Sequence, residues 1–326
     1  MVSWGQTIFP MAVNDGREKN TGLRTGRGEG MKGRWKALCA AGVVCGFLAV
    51  SVALKRPTSL ISIEEADYAG GVIRTYKRSG GTDVVEPDIE ETLQTLGMEE
   101  WTIDGLAEEE LERLGEANWM ISSTAYVRID AQGDRTCLSE EEALAEVEAL
   151  ETGGSILEDA YLRMWHGMAD LDGDSYQLTM AVRWLRMPAV RGRDAVGVCG
   201  QRMTVTPKTA TGYYSYTRKE AAAGQTVVEE IVEIPFAQME IVAEDIFTGV
   251  GAEFLMPADG AADGVSVVNG DFCVYLSYRG RLNMPDTTTA VNSIGTYTHS
   301  SVGGTRAVST LIEAEVEPPG TEAGTE

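Results

Sequence analysis

The chain has 326 residues, with 27 Lys and Arg against 50 Asp and Glu and a net charge of −23. That balance repels phosphate backbones and argues against nucleic-acid binding. Five cysteines and two histidines exclude a disulfide scaffold and leave little material for histidine-based metal sites or catalytic triads.

The charge is segregated along the chain. Residues 1–36 hold seven basic and three acidic side chains, a balance of +4, whereas residues 55–326 carry −27. Between them, Ala37 to Leu54 runs ALCAAGVVCGFLAVSVAL without a single charge. A bilayer core takes roughly 20 apolar helical residues, with about 17 as a minimum. Residues 37–54 are therefore expected to form a single N-terminal transmembrane helix whose partner is the lipid bilayer. Basic flanks stay cytoplasmic, which makes residues 1–36 a cytoplasmic arm and places the acidic body outside the cell membrane. The alternative is a signal segment with MKGRWK as its basic region and Ala49-Val50-Ser51 or Ser51-Val52-Ala53 as its cleavage motif, giving a secreted body. Met31 is an alternative start, in which case residues 1–30 are not translated.

Residues 55–86 read as a juxtamembrane stalk, with a short strand around Val72, Ile73 and Tyr76. Residues 87–154 read as a helical part. Ile89, Leu93 and Leu96 recur at helical spacing and Gly97 ends the run; a second helix is expected from about Asp104 to Gly115. Trp119 to Asp130 then alternates, which predicts a half-buried strand. Leu138-Ser139-Glu140-Glu141-Glu142 gives a capping box, with Ser139 as N-cap, Glu142 three residues on, and Leu138 stapling onto Ala143. Val147 and Leu150 continue that helix's apolar stripe as far as Gly153.

Residues 155–317 read as strands and turns. Tyr161 to Met168 and Tyr176 to Leu185 are expected to form a hairpin about Asp172-Gly173. Further strands are expected at 196–206, 226–234, 238–247, 265–278 and 306–316, with a Tyr-rich surface loop over 209–225. Residues 318–326 form a tail rich in Gly, Pro and Glu. Strand spacing of this kind points to an antiparallel sandwich or a strongly curved sheet. The fold class is thus α+β: a mostly antiparallel β body with a small helical N-terminal part, preceded by one transmembrane helix.

Candidate chemistry is sparse. Asp170, Asp172 and Asp174 alternate around a glycine and are the candidate ligands for calcium, which takes six to eight oxygens. The run resembles the start of an EF-hand loop over five residues. It departs from that pattern at Ser175, where the loop needs Gly, and at Ala181, where it needs Glu. The competing reading is a polar hairpin tip. His166 and His299 read as packed side chains, and Cys199 and Cys273 as inert thiols within strands. Cys137 is the third cysteine of the body, so at most one disulfide is allowed among the three. Trp165, Arg183, Trp184, Arg186, Arg191 and Arg193 form the one basic and aromatic concentration, read as cations answering neighbouring acids rather than as a ligand site. No cofactor motif and no catalytic residue set emerges. Scarce cysteine outside a membrane suits a Gram-positive bacterial surface. The expected function is that of a membrane-anchored surface protein with a non-catalytic binding or structural role toward an extracellular partner. The alternative is an exported hydrolase acting on cell wall or glycan.

Overall fold

Sixteen strands and four helices make up the described part of the computed structural model, residues 62–68, 71–77, 88–130, 133–153, 159–172, 174–222, 226–262, 264–283, 289–301 and 304–316. The arm at 1–36, the apolar run at 37–54 and the tail at 318–326 lie outside these residues. Among the described residues, no helix is long and apolar enough to cross a membrane. All of them belong to one unit.

Two antiparallel sheets carry the fold. The larger, sheet A, runs in the order β1 (Ser62–Tyr68), β2 (Gly71–Lys77), β3 (Trp119–Ile129), β5 (Ala160–Asp172), β6 (Ser175–Arg186), β14 (Val265–Leu282), β9 (Thr211–Ala222) and β10 (Val228–Pro235). β4 (Arg135–Leu138) pairs with β3, while β8 (Met203–Val205) and β13 (Gly260–Ala262) pair with β14. Sheet B runs β11 (Glu240–Glu244), β12 (Phe247–Leu255), β7 (Arg193–Gln201), β15 (Thr289–Ser301) and β16 (Gly304–Val316). Their facing sides interdigitate in one core: Leu162, Met164, Leu178, Val182 and Val274 from sheet A meet Val196, Val198, Val250, Tyr297 and Ile312 from sheet B. The body is therefore a sandwich of antiparallel sheets, as the strand spacing implies.

Helices α1 (Ile89–Thr95), α2 (Glu100–Asp104) and α3 (Glu108–Gly115) cover the opposite face of sheet A. Asp88 caps α1 by accepting the Glu90 N–H at 3.0 Å, and Gly97 ends it at φ 85°, a conformation that glycine adopts without steric cost. A helix of seven residues is marginal alone. Burial of Leu93, Leu96 and Met98 against Met120, Trp165 and Ala169 stabilises it, at about 1.5–3 kcal/mol per side chain. Trp165 lies flat across Gly167, where an added Cβ would collide with the indole ring. The indole N–H donates to the Leu96 carbonyl at 2.9 Å, and the Ser122 hydroxyl donates to the same oxygen at 2.6 Å.

Several local expectations fail for one reason, long-range pairing. The strand over 119–129 is buried on both faces, because the helices cover its polar side, where Ser122 and Thr124 lie. The expected loop at 209–225 holds β9 (Thr211–Ala222), a strand held between β14 and β10. The expected strand at 196–206 is two strands in different sheets, β7 and β8, broken at Arg202 with φ 54°. The strand at 238–247 likewise splits into β11 and β12 around Asp245, with φ 52°. The helix expected from about Asp104 to Gly115 forms as α3 over Glu108–Gly115, while the short α2 before it and β15 have no counterpart in the sequence reading. β3 and β5 are neighbours in one sheet, so segments 87–154 and 155–317 share a sheet, and β1 and β2 join it from segment 55–86.

The capping box forms as read. The Ser139 N–H donates to Glu142 at 2.9 Å and the Glu142 N–H to the Ser139 hydroxyl at 3.2 Å, opening α4 (Glu140–Gly153). Leu138 and Ala143 meet in one cluster with Tyr126 and Tyr161. Ser139→Ala is expected to cost about 0.5–2 kcal/mol in urea unfolding. An unchanged midpoint would mean that the cap contributes nothing in solution.

Candidate functional site

The groups most capable of chemistry are placed where a substrate cannot reach them. His166 on β5 is fully buried, and its Nε2 lies 2.8 Å from the Ser293 hydroxyl of β15. That hydroxyl donates to the Cys199 carbonyl at 3.0 Å, so Nε2–H is the donor to Ser293. Nδ1 is then a bare acceptor, buried without a hydrogen-bond partner. The arrangement ties sheet A to sheet B and keeps the ring neutral.

His299 on β15 is pinned by the buried carboxylate of Asp194 on β7, with Nδ1 at 3.0 and 3.1 Å from its two oxygens. The Tyr297 hydroxyl donates to the same carboxylate at 2.6 Å and the Ser300 N–H at 3.2 Å. Trp184 donates to the Tyr297 hydroxyl at 3.1 Å and packs edge-on against His299, with ring centroids 5.1 Å apart. A buried charge needs several donors, and Asp194 has them. Cys199 and Cys273 are buried and form no disulfide, and burial pushes the Cys273 thiol up to about 12, far from a reactive thiolate.

The basic and aromatic concentration disperses in space. Trp165 faces the helices and Trp184 the opposite sheet. Arg183 and Arg163 both bind Glu99, at 3.0 and 2.8 Å, and Trp101 donates to it at 2.9 Å. Burial opposes the charge of Glu99, but the two arginines and the indole N–H outweigh it and hold the carboxyl below its ordinary range. Arg191 answers Asp259 at 2.7 Å, and Arg193 answers Glu253 at 3.1 Å. These arginines answer acids.

A second buried polar cluster escapes sequence reading. Glu110 of α3 accepts from Gln177 at 2.5 Å and from Tyr275 at 2.6 Å. Beside it a cavity of about 20 Å³ lies between Leu96, Met120, Trp165, Met168, Gln177 and Thr179. That space suits one water molecule and falls far below the roughly 300–1,000 Å³ of a ligand pocket.

Asp170 lies two residues before the end of β5, between Trp119 and Tyr176, its partners in register. It accepts from the Asn118 side chain at 3.4 Å and is 9% exposed. Asp174 sits in the turn, partly exposed, before β6. Asp172 pairs with Ser175 in register; its side chain and Gly173 lie outside the described residues. No group of three metal-ligating side chains converges among the described residues.

Apolar exposure, by contrast, is concentrated. Seven of the nine large apolar side chains exposed among the described residues fall between positions 227 and 268: Val227, Val228, Ile231, Ile241, Ile246, Leu255 and Val268. Sheet B packs over the middle of sheet A as far as Tyr214 of β9, which stacks on Phe254 of β12, and β10 beyond it is almost wholly exposed, forming a wing with the far end of β9. Residues opposite one another in a ladder share a face. Gly270, Thr217 and Ile231 therefore form one row, with Val268, Lys219 and Glu229 in the next. Ile231 is 81% exposed and Val268 50%, and nothing roofs Gly270 within 4 Å of where a Cβ would stand. The sequence marks Ile231 as a strand residue, but nothing local marks its strand as an edge.

No protein-family model matches this chain, and no curated protein does. Among solved structures, the collagen-binding subdomain of the Enterococcus faecalis surface protein ACE aligns at 6% identity and TM-score 0.23, covering 45% of this chain and 89% of that one. A pore-forming protein aligns at 8% and 0.18, covering 61% and 90%. The collagen adhesin of S. aureus aligns at 6% and 0.16, covering 60% and 89%. Similarities this weak carry no argument about this chain, and the reading below rests on its own geometry.

Burial lowers the His166 imidazole to about 3, against an ordinary value near 6.5. Between those values the unfolded chain binds a proton that the folded chain refuses, so stability falls as pH drops through that window and is flat above it. Glu99, held low, adds its own loss only beneath the ordinary carboxylate range. The urea midpoint is thus expected to decline from pH 6.5 to 5 in the wild type, and less so in His166→Gln. Parallel profiles would mean that His166 titrates normally.

Proposed function

We propose that the protein is a bacterial surface protein with a non-catalytic binding role, held at the cell membrane by residues 37–54 or released by cleavage there. On this reading its body is extracellular and takes an extracellular protein as partner. The observation that carries the reading is the separation of chemistry from exposure. Both histidines and the two strand cysteines are buried, while Ile231 and Val268 are exposed on one face of β10 and β14, with Val228 exposed on the other. Clustered apolar exposure marks interaction sites. A hydrolase acting on wall or glycan needs converging, accessible carboxylates or a nucleophile with its base.

The test uses the full chain displayed on a bacterial host. Protease added to intact cells is expected to remove the body. Displaying cells are expected to adhere to at least one member of a panel of immobilised extracellular proteins. Ile231→Lys with Val268→Lys should abolish that adhesion at unchanged surface level and melting temperature. Adhesion indifferent to the double variant, or release of reducing ends from wall glycan, would overturn the reading.

For Asp170, Asp172 and Asp174 we propose a hairpin tip that meets calcium no more tightly than the extracellular millimolar range, because three carboxylates supply too few of the six to eight oxygens required. Calorimetry checks it. A dissociation constant below about 10 µM, or a calcium-dependent rise in melting temperature lost in Asp172→Ala, contradicts it.

A further inference from the structure

We infer that the free edge of β10 takes up an added β-strand from a partner segment carrying cations opposite Glu229, Glu230 and Glu233, so that the binding role proposed above works by strand addition. Among the described residues, β10 is the last strand of sheet A, paired on one side only, with β9. One alternate set of its backbone N–H and C=O groups therefore points away from the sheet, and such a row is a template for another strand. The edge is eight residues long, Val-Glu-Glu-Ile-Val-Glu-Ile-Pro, and only its last position, Pro235, lacks a donor.

The side chains specify what fits. On the face turned toward the helix side, Glu229, Ile231 and Glu233 stand in sequence two residues apart. On the other face stand Val228, Glu230, Val232 and Ile234. Ile231 and Val228 are 81% and 61% exposed, far beyond what a paired interior strand shows. Lys219 already answers Glu229 at 3.3 Å, and Arg218 lies 4.0 Å from Glu230. Glu233 has no ion pair among the described residues. An incoming strand thus meets apolar, acid, acid, apolar, apolar, acid, apolar from 228 to 234. Its complement in antiparallel register reads VKVVKKV, with each lysine opposite a glutamate and each valine opposite an apolar side chain.

A second copy of this chain is disfavoured as the occupant. Centring its β10 on Ile231 sets Glu229 against Glu233 twice. Centring it on Glu230 sets that acid against its own copy. Like charges directly opposed in a ladder are destabilising, and each copy adds a net charge of −23.

Fluorescent VKVVKKV, capped at both ends, is titrated onto cells displaying the full chain, beside VEVVEEV and a VKVVKKV form N-methylated at alternate residues. The lysine peptide is expected to bind at least about tenfold more tightly than either control, and Glu233→Lys to remove about tenfold of that affinity. The N-methylated peptide keeps the charge but cannot complete the ladder. Equal binding of the two lysine forms would reduce the effect to general attraction by an acidic body and overturn strand addition, as would binding by none of the three. A cross-linked dimer of the full chain lost in Glu233→Lys would assign the edge to a second copy and equally overturn it. If adhesion disappears in the Ile231→Lys, Val268→Lys variant yet no peptide binds, the binding role survives and this mode of binding does not.

Discussion

The central strands β5, β6 and β14 have protein on both sides, so a polar side chain on them costs free energy unless a neighbouring strand or another layer supplies a partner. Sheet B lies against one face and helices α1 to α3 against the other. This constraint decides where the buried polar groups lie and what they do. On the sheet B side, His166 reaches Ser293, Trp184 reaches Tyr297, and Tyr278 donates to the Thr248 carbonyl at 3.0 Å. Each bond runs from one sheet to the other and fixes their register where hydrophobic packing alone would tolerate sliding. On the helix side, Trp165 and Ser122 grip the Leu96 carbonyl, Arg163 donates to the Gly97 carbonyl at 2.6 Å, and Gln177 and Tyr275 grip Glu110. Short helices with little propensity of their own are thereby held by specific bonds at their ends as well as by Leu93, Leu96 and Met98.

The double cover is a property of the middle of sheet A only. Sheet B has five strands and the main path of sheet A eight, so sheet A overhangs its partner. At β10 the burial pattern runs almost wholly exposed, in contrast to β6. Apolar residues are retained on that overhang although no layer covers them. A solitary exposed valine needs no explanation, but Val227, Val228, Ile231 and Val268 on adjoining strands do. Glu229, Glu230 and Glu233 supply the counterweight, as charges on an edge discourage indiscriminate pairing. The same three acids that protect the edge also define which strand may approach it.

Legibility in the sequence follows the range of the interaction. The Ser139–Glu142 cap and the pairing of β5 with β6 about Asp172 are written within a few residues, and both form where expected. β9 reads as a loop because Thr-Gly-Tyr-Tyr-Ser-Tyr-Thr-Arg-Lys has no clean alternation. Its strand character comes from β14 and β10, and its tyrosines serve different neighbours. Tyr213 stacks on Tyr275 toward the helices, while Tyr214 stacks on Phe254 toward sheet B. The break at Arg202 is equally invisible, since only the three-dimensional path sends β7 and β8 into different sheets. Asp194 and His299, 105 residues apart, could not be paired by spacing. Ile231 was legible as apolar and as part of a strand, but edge position is a property of the whole sheet.

Distance also decides which charges matter at the wing. The net charge of −27 over residues 55–326 looks like the dominant electrostatic fact, but ions screen exposed charges beyond about 8 Å at physiological ionic strength. Carboxylates on the far strands of the body therefore contribute to encounter rate at low salt and little to a docked strand. Adjacent strands lie about 4.8 Å apart, inside that length, so Glu229, Glu230 and Glu233 act on a neighbour almost unscreened. Lys219 and Arg218 partly neutralise the first two. Glu233, beside Ile231 on one face and short of a partner, is left as the position where one charge counts most. Discrimination at this edge accordingly depends on local register rather than on overall acidity, and it should persist at salt concentrations that abolish nonspecific attraction to the body.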